Sequence, residues 1–113
     1  MKPKFHYDNC WRANFWFCLG WNQDAFASYI KKQFDHEIST KPVNGKTIEF
    51  FDKGNHICVV WTRKKRDIPS LVHECLHAAI FTLDMRGVKF DVDNHEPLTY
   101  LVESLVRTAL EKS

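Results

Sequence analysis

The sequence predicts a single α+β domain that combines three helices with a small antiparallel or mixed sheet of about three strands. Hydrophobic residues make up 44% of the 113 residues and aromatic residues 14%, which is typical of a globular protein. Three segments are rich in β-forming residues, and three others carry apolar residues at helical spacing. At this length we expect one domain over residues 1–113.

The predicted strands cover residues 13–19, 47–51 and 56–62. The first is aromatic and alternates loosely, and Gly20 ends it. The sequence Asp-Lys-Gly-Asn at 52–55 is typical of a hairpin turn between the other two. Residues 35–46 contain proline and glycine and are predicted to be a loop.

Three helices follow from apolar spacing and end signals. The first ends near Gln33, and either Asn22 or Asp24 caps it. The second covers residues 68–85, with Asp67 as its N-cap and a proline in its first turn. The last begins after Asn94 or His95, again with a proline in its first turn.

The second helix carries the most informative motif, the pentapeptide His73-Glu74-Cys75-Leu76-His77. Histidines four residues apart lie on one helical face, where their imidazoles can bind one Zn²⁺ ion. The glutamate of such an H-E-x-x-H motif can act as general base on a zinc-bound water. We expect an apolar stripe to form the buried side, with both histidines at its edges and Glu74 on a more open side. That stripe comprises Val72, Leu76, Ala79, Ile80 and Leu83.

A catalytic zinc ion usually needs a third protein ligand. Glu96 is favoured because it lies at the start of the last helix, where a carboxylate also interacts well with the helix dipole. Glu103 shares its face and is the alternative, either as ligand or as a partner that orients a histidine. His95 is a third candidate ligand, and His95 or Tyr100 could donate a hydrogen bond to a developing oxyanion.

These residues resemble a minimal zincin of the gluzincin kind. In that superfamily a mixed sheet precedes the H-E-x-x-H helix, and a later helix supplies a glutamate ligand. The segment at 94–102, with sequence NHEPLTYLV, is similar to the glutamate-bearing helix of small phage- and prophage-encoded zincin-like proteins. The resemblance covers the last half of the chain, and it implies His73, His77 and Glu96 as zinc ligands with Glu74 as the base.

The motif predicts a zinc-dependent hydrolase, most simply a small metallopeptidase. The strand at 56–62 could offer an edge for a substrate strand. The metzincin extension is absent because position 83, where its third histidine would stand, is leucine. The alternative is a phage-type accessory protein that binds a host or viral partner on a zincin scaffold, with the metal structural or absent.

The charge of the chain gives little support for a nucleic-acid partner. The net charge is only +2, so a nucleic-acid partner would depend on the basic run Arg63-Lys64-Lys65-Arg66 beside Trp61. A solvated loop is the simpler interpretation of that run.

No targeting segment or membrane span is visible, and we expect a soluble, cytoplasmic protein. The four cysteines form no C-x-x-C pair and are expected to be free thiols, mostly buried.

Overall fold

The computed structural model describes residues 1–111, which form a mixed four-stranded sheet with helices on both faces. In chain order the elements are β1 (Lys4–Asp8), β2 (Ala13–Leu19), α1 (Gln23–Phe34), β3 (Gly45–Asp52), β4 (Asn55–Thr62), α2 (Ile68–Met85) and α3 (Glu96–Leu110). The α+β class and the three helices are confirmed. The described residues contain four strands, one more than predicted.

The strands lie in the order β1-β2-β4-β3. β2 and β4 are parallel neighbours, whereas β1–β2 and β3–β4 are antiparallel pairs. The predicted hairpin is confirmed, and its tight turn has Lys53 and Gly54 at positive φ. The expectation that residues 56–62 could be a sheet edge was wrong, because β4 is hydrogen-bonded on both sides. The edge strand next to α2 is β3.

β1 was missed because its sequence, Lys-Phe-His-Tyr-Asp, mixes charged and aromatic residues. Phe5 and Tyr7 are exposed on one face of this edge strand, so the strand contributes little to either core. Its position depends on pairing with β2, where Phe5 lies opposite Trp16 with the rings 5.0 Å apart. Edge strands of this kind carry a weak sequence signal because only their partner makes them strands.

The sheet separates two hydrophobic cores, because alternate residues of a strand point to opposite faces. On one face α1 covers Val59 and Trp61 with Phe26 and Ile30, and the rings of Phe26 and Trp61 stack at 5.2 Å. On the other face α2 and α3 cover a larger core that comprises Ala13, Phe15, Phe17, Cys58, Val60, Leu71, Cys75, Ala78, Ala79, Leu83, Leu101, Leu105 and Ala109.

The rotation of α2 about its axis differs from the prediction. Val72 and Leu76, which were expected in the core, are 39% and 40% exposed. Leu71 and Cys75 are buried in their place, while the predicted Ala79 and Leu83 are indeed buried. The error has a physical reason: α2 is apolar around most of its circumference, so apolar spacing alone leaves its orientation open.

The helix start signals are largely confirmed. The side chain of Asn22 accepts hydrogen bonds from two backbone N–H groups of α1, and that of Asp67 accepts one from the Ser70 backbone. His95 occupies the N-cap position of α3, but its side chain makes no capping hydrogen bond.

All four cysteines are free thiols, and only Cys10 is exposed. Across residues 1–111, no helix has the length and apolar content needed to span a bilayer.

The Asp67 cap gives a stability prediction. Hydrogen bonds from the Ser70 hydroxyl and backbone N–H lower the pKa of the Asp67 carboxyl. Because the pKa of Asp67 is lower in the folded protein, the ionised carboxylate stabilises the fold at pH values above the unfolded-state pKa of about 3.9. This stabilisation is lost as the pH falls through the folded-state pKa. Asp67→Ala should therefore lower the melting temperature by a few degrees at pH 7 and by less below about pH 4.

Asp67→Asn is the matched control, since asparagine caps helices well without titrating. Thermal melts of the three proteins between pH 3 and pH 7 test the point. An Asp67→Ala deficit that is the same at both ends of this range would contradict it.

Candidate metal site

The two motif histidines converge on the outer face of α2. Nε2 of His73 lies 3.2 Å from Nε2 of His77, and the ring centroids are 4.8 Å apart. Both side chains are exposed, that of His73 by 67%. Their placement follows from the helix, because residues four apart stand one above the other.

This spacing fits one zinc ion. Tetrahedral coordination with Zn–N distances of about 2.0–2.1 Å places two ligand nitrogens about 3.3 Å apart. The Nε2 atoms of His73 and His77 are already 3.2 Å apart in the protein. The same distance also suits a hydrogen bond between two neutral imidazoles, one donating and the other accepting. The separation of the two nitrogens is thus compatible with either a shared cation or a hydrogen bond between the rings.

Glu74 lies between the histidine face and the sheet. The prediction that it turns toward the open side was wrong, because the residue is only 7% exposed. Its Oε1 accepts a hydrogen bond from the Thr47 hydroxyl of β3 at 2.8 Å. Its Oε2 is 4.0 Å from Nε2 of His73. The carboxylate thus approaches the His73 imidazole from the side of the sheet.

An open depression of about 440 Å³ adjoins this carboxylate. Its lining comes from the loop before β3, the first turn of α2 and the motif itself, and comprises Val43, Asn44, Gly45, Pro69, Ser70, His73 and Glu74. No sequence motif pointed to β3, because Gly45 was predicted to lie in a loop and Thr47 is an ordinary strand residue. Only the position of β3 beside α2 brings them to the site.

The candidates for a third ligand lie on α3. Glu96 and His95 are exposed at its start, and Tyr100 is 63% exposed. Glu103 is also exposed, and its Oε1 accepts a hydrogen bond from Arg107 at 2.8 Å. Within residues 1–111, no three side chains of the types that bind metals form a group able to hold an ion. The structure brings His73 and His77 together and places Glu74 beside His73. A third ligand from Glu96, Glu103 or His95 stays a prediction.

Cys75, the remaining polar residue of the motif, is excluded as a ligand by its surroundings. It is fully buried, and desolvation together with the nearby Glu74 charge raises the pKa of its thiol to about 12. Residues two apart on a helix point in nearly opposite directions, so Cys75 faces away from His73 and His77. Cys75 is a core residue.

A second feature borders the histidine face on its other side. An apolar groove of about 830 Å³ runs between α2 and α3. It is lined by Val72, Leu76, Leu98, Thr99, Val102, Glu103, Val106, Arg107, Leu110 and Glu111. Val72 and Leu76 immediately precede the two histidines, so the groove and the candidate metal site share one helix.

The basic run at residues 63–66 contains one arginine that contacts the rest of the protein and three exposed side chains. Arg63 lies over the Trp61 ring at 5.8 Å, and its guanidinium donates to the Val43 carbonyl at 2.8 Å, so it ties the loop before β3 to the end of β4. The side chains of Lys64, Lys65 and Arg66 are exposed. Trp61 itself is 1% exposed, and its indole presents no open face to a base. Direct stacking of a nucleic-acid base on Trp61 is thus excluded.

Comparisons with protein-family models, with curated protein sequences and with solved structures found no match for this chain.

The geometry predicts which residues bind zinc. His73→Ala and His77→Ala should each abolish stoichiometric zinc binding, because each removes one of two converging nitrogens. Glu96→Ala should weaken zinc binding by at least about 10-fold, because it removes the proposed third ligand itself, and loss of a residue that only supports a ligand already costs about 10- to 100-fold. Elemental analysis and competition with a chromophoric chelator measure both effects.

His36→Ala is the matched control, since His36 is also exposed but lies beyond α1. Undiminished zinc binding by Glu96→Ala with a loss in Glu103→Ala would move the third ligand to Glu103. Equal zinc content in His73→Ala, His36→Ala and the wild-type protein would contradict the site itself.

Proposed function

We propose that this protein is a zinc-dependent hydrolase of the zincin type and that its substrate is a peptide. The observation that carries the proposal is the juxtaposition of two imidazole nitrogens 3.2 Å apart with a carboxylate oxygen 4.0 Å from one of them. An H-E-x-x-H helix needs this combination of two ligands and a base. His73 and His77 would hold the ion, with Glu96 as the proposed third ligand and Glu103 as the alternative.

The positions of the side chains suggest a separate role for each residue in the proposed hydrolysis. When bound, zinc acts as a Lewis acid and lowers the pKa of a coordinated water toward about 7. Glu74 would accept the proton of the attacking water through Oε2 and later deliver it to the leaving amine. His95 and Tyr100 are the proposed hydrogen-bond donors to the oxyanion, and their exposed side chains leave them free to meet a substrate.

The neighbouring strand supports a peptide as substrate. β3 is the last strand of the sheet, and its start lines the depression next to Glu74. An extended peptide can add to such an edge through main-chain hydrogen bonds. A peptide paired with β3 would run past the histidine face, which suits cleavage of a main-chain amide.

Replacement of the base gives the decisive test. Glu74→Gln keeps the size and the Thr47 contact but cannot accept a proton, so hydrolysis should fall about 10²- to 10⁴-fold while zinc affinity stays the same. Turnover of a mixed peptide library by the zinc-loaded protein, followed by mass spectrometry, measures the effect. Glu37→Gln, an exposed position after α1, is the control.

Two results would end the proposal. One is peptide cleavage by Glu74→Gln at the wild-type rate after removal of contaminating proteases. The other is a wild-type protein that binds zinc but cleaves no member of the library.

The groove between α2 and α3 favours a second candidate function, the binding of a partner protein. Leu98, Val102 and Val106 follow each other at intervals of four residues along one wall, and Val72 and Leu76 do so along the other. An amphipathic helix with apolar residues at the same spacing fits such a groove. In this alternative the fold is a scaffold and Glu74 is dispensable.

Photo-crosslinking separates the two functions. A photoreactive residue at Leu76 should give one discrete adduct in extracts of the source cell if a partner occupies the groove, and it should do so equally in the Glu74→Gln background. The control position is Val92, which is 87% exposed and lies outside the groove. The same adducts from positions 76 and 92, or none from position 76, would remove this alternative.

A further inference from the structure

One side chain of β3 makes two close contacts with Glu74. The Thr47 hydroxyl lies 2.8 Å from Glu74 Oε1 and 2.9 Å from the main-chain oxygen of the same residue. A hydroxyl carries a single proton, so it donates to one of these oxygens at a time or shares the proton between them. The Thr47 hydroxyl therefore lies between the Glu74 carboxylate and the main-chain oxygen of Glu74 in α2.

A glycine of the same strand makes room for this arrangement. A Cβ atom on Gly45 would lie 2.8 Å from the Trp61 carbonyl oxygen, 3.0 Å from Glu74 Cγ and 3.2 Å from Glu74 Oε2. The first distance is shorter than any ordinary contact, and the carbonyl belongs to a central strand that cannot easily shift. Gly45 is required by this close approach of Glu74 and β4.

Gly45 and Thr47 act from one side, because residues two apart on a strand point to the same face. The glycine leaves space for the Glu74 side chain, and the threonine holds Oε1. Oε2 is then directed toward Nε2 of His73 at 4.0 Å. The two oxygens of the carboxylate thus have different neighbours: Oε1 contacts the Thr47 hydroxyl, whereas Oε2 lies beside Gly45 and faces His73.

We propose that Thr47 is a positioning residue that holds the Glu74 carboxylate against the histidine face, with Gly45 providing the space. The inference rests on the proposed function and assigns to it a residue outside the H-E-x-x-H motif. Thr47 touches neither the metal ligands nor the reacting atoms and acts only through Glu74. Loss of its hydroxyl frees the carboxylate to rotate, and errors of about 1 Å in a reacting group can cost about 10²-fold in rate.

The kinetic test compares two substitutions of similar size. Thr47→Val removes the hydroxyl and keeps the branched shape, so kcat should fall about 10- to 100-fold with KM and zinc affinity unchanged. Thr47→Ser keeps the hydroxyl and should retain kcat within about threefold. A general packing defect would affect zinc affinity or KM as well, and serine would not rescue it.

A second measurement needs neither zinc nor activity. In a double-mutant cycle on the metal-free protein, Thr47→Val should lower the melting temperature in the wild-type background and lower it less in Glu74→Ala, because only the contact with the main-chain oxygen of residue 74 then remains. Thr47→Val combined with Glu103→Ala is the control pair and should be additive, since Glu103 pairs with Arg107 on α3.

The two measurements distinguish failure of the Thr47 inference from failure of the proposed hydrolase function. Additive melting shifts for Thr47→Val and Glu74→Ala, or full kcat in Thr47→Val, would overturn the inference. A coupled pair in a wild-type protein that cleaves no peptide would refute the proposed hydrolase and the catalytic role of Thr47, while it upholds the contact between Thr47 and Glu74. Coupling together with a serine-rescued loss of kcat supports both.

Discussion

The packing of α2 against β3 and β4 is the contact on which the remaining features depend. An α-helix turns its side chains by about 100° per residue, so its orientation against the sheet places every residue at once. With Leu71, Cys75 and Ala78 in the core, the two histidines must face solvent. Glu74 lies at the boundary and meets β3. The hydrophobic contact that stabilises the fold thus also determines which polar groups of the motif come together.

The position of Glu74 has an energetic cost that the sheet offsets. A carboxylate that is largely removed from water is destabilising by several kcal/mol unless hydrogen bonds or charges compensate. The Thr47 hydroxyl supplies one hydrogen bond, and the imidazole of His73 lies 4.0 Å away. A bound cation would add favourable charge on the same side. The sheet thus holds a buried carboxylate beside two exposed histidines.

α3 contributes to both candidate functions through different faces. Its buried residues Leu101, Leu105 and Ala109 complete the core, while Leu98, Val102 and Val106 form a wall of the groove. Glu96 and Glu103 stand on the exposed side of the helix. The packing of α2 against α3 sets where these carboxylates lie relative to the histidines. No spacing within one helix contains that information, because the two helices are joined by a ten-residue connection and only their contact orients them.

The sequence by itself determined the local parts: the hairpin around Gly54, the Asp67 cap, the bounds of α2, and two histidines on one helical face. Each depends on residues within a few positions of one another. The tertiary structure decided the pairing of β1, the central place of β4, the orientation of α2 and the contact of Thr47 with Glu74. Thr47 is 27 residues from Glu74, and α2 is apolar enough to be buried on more than one side. Only the docking of the helix on β3 and β4 selects one of those sides, and with it the environment of the proposed base.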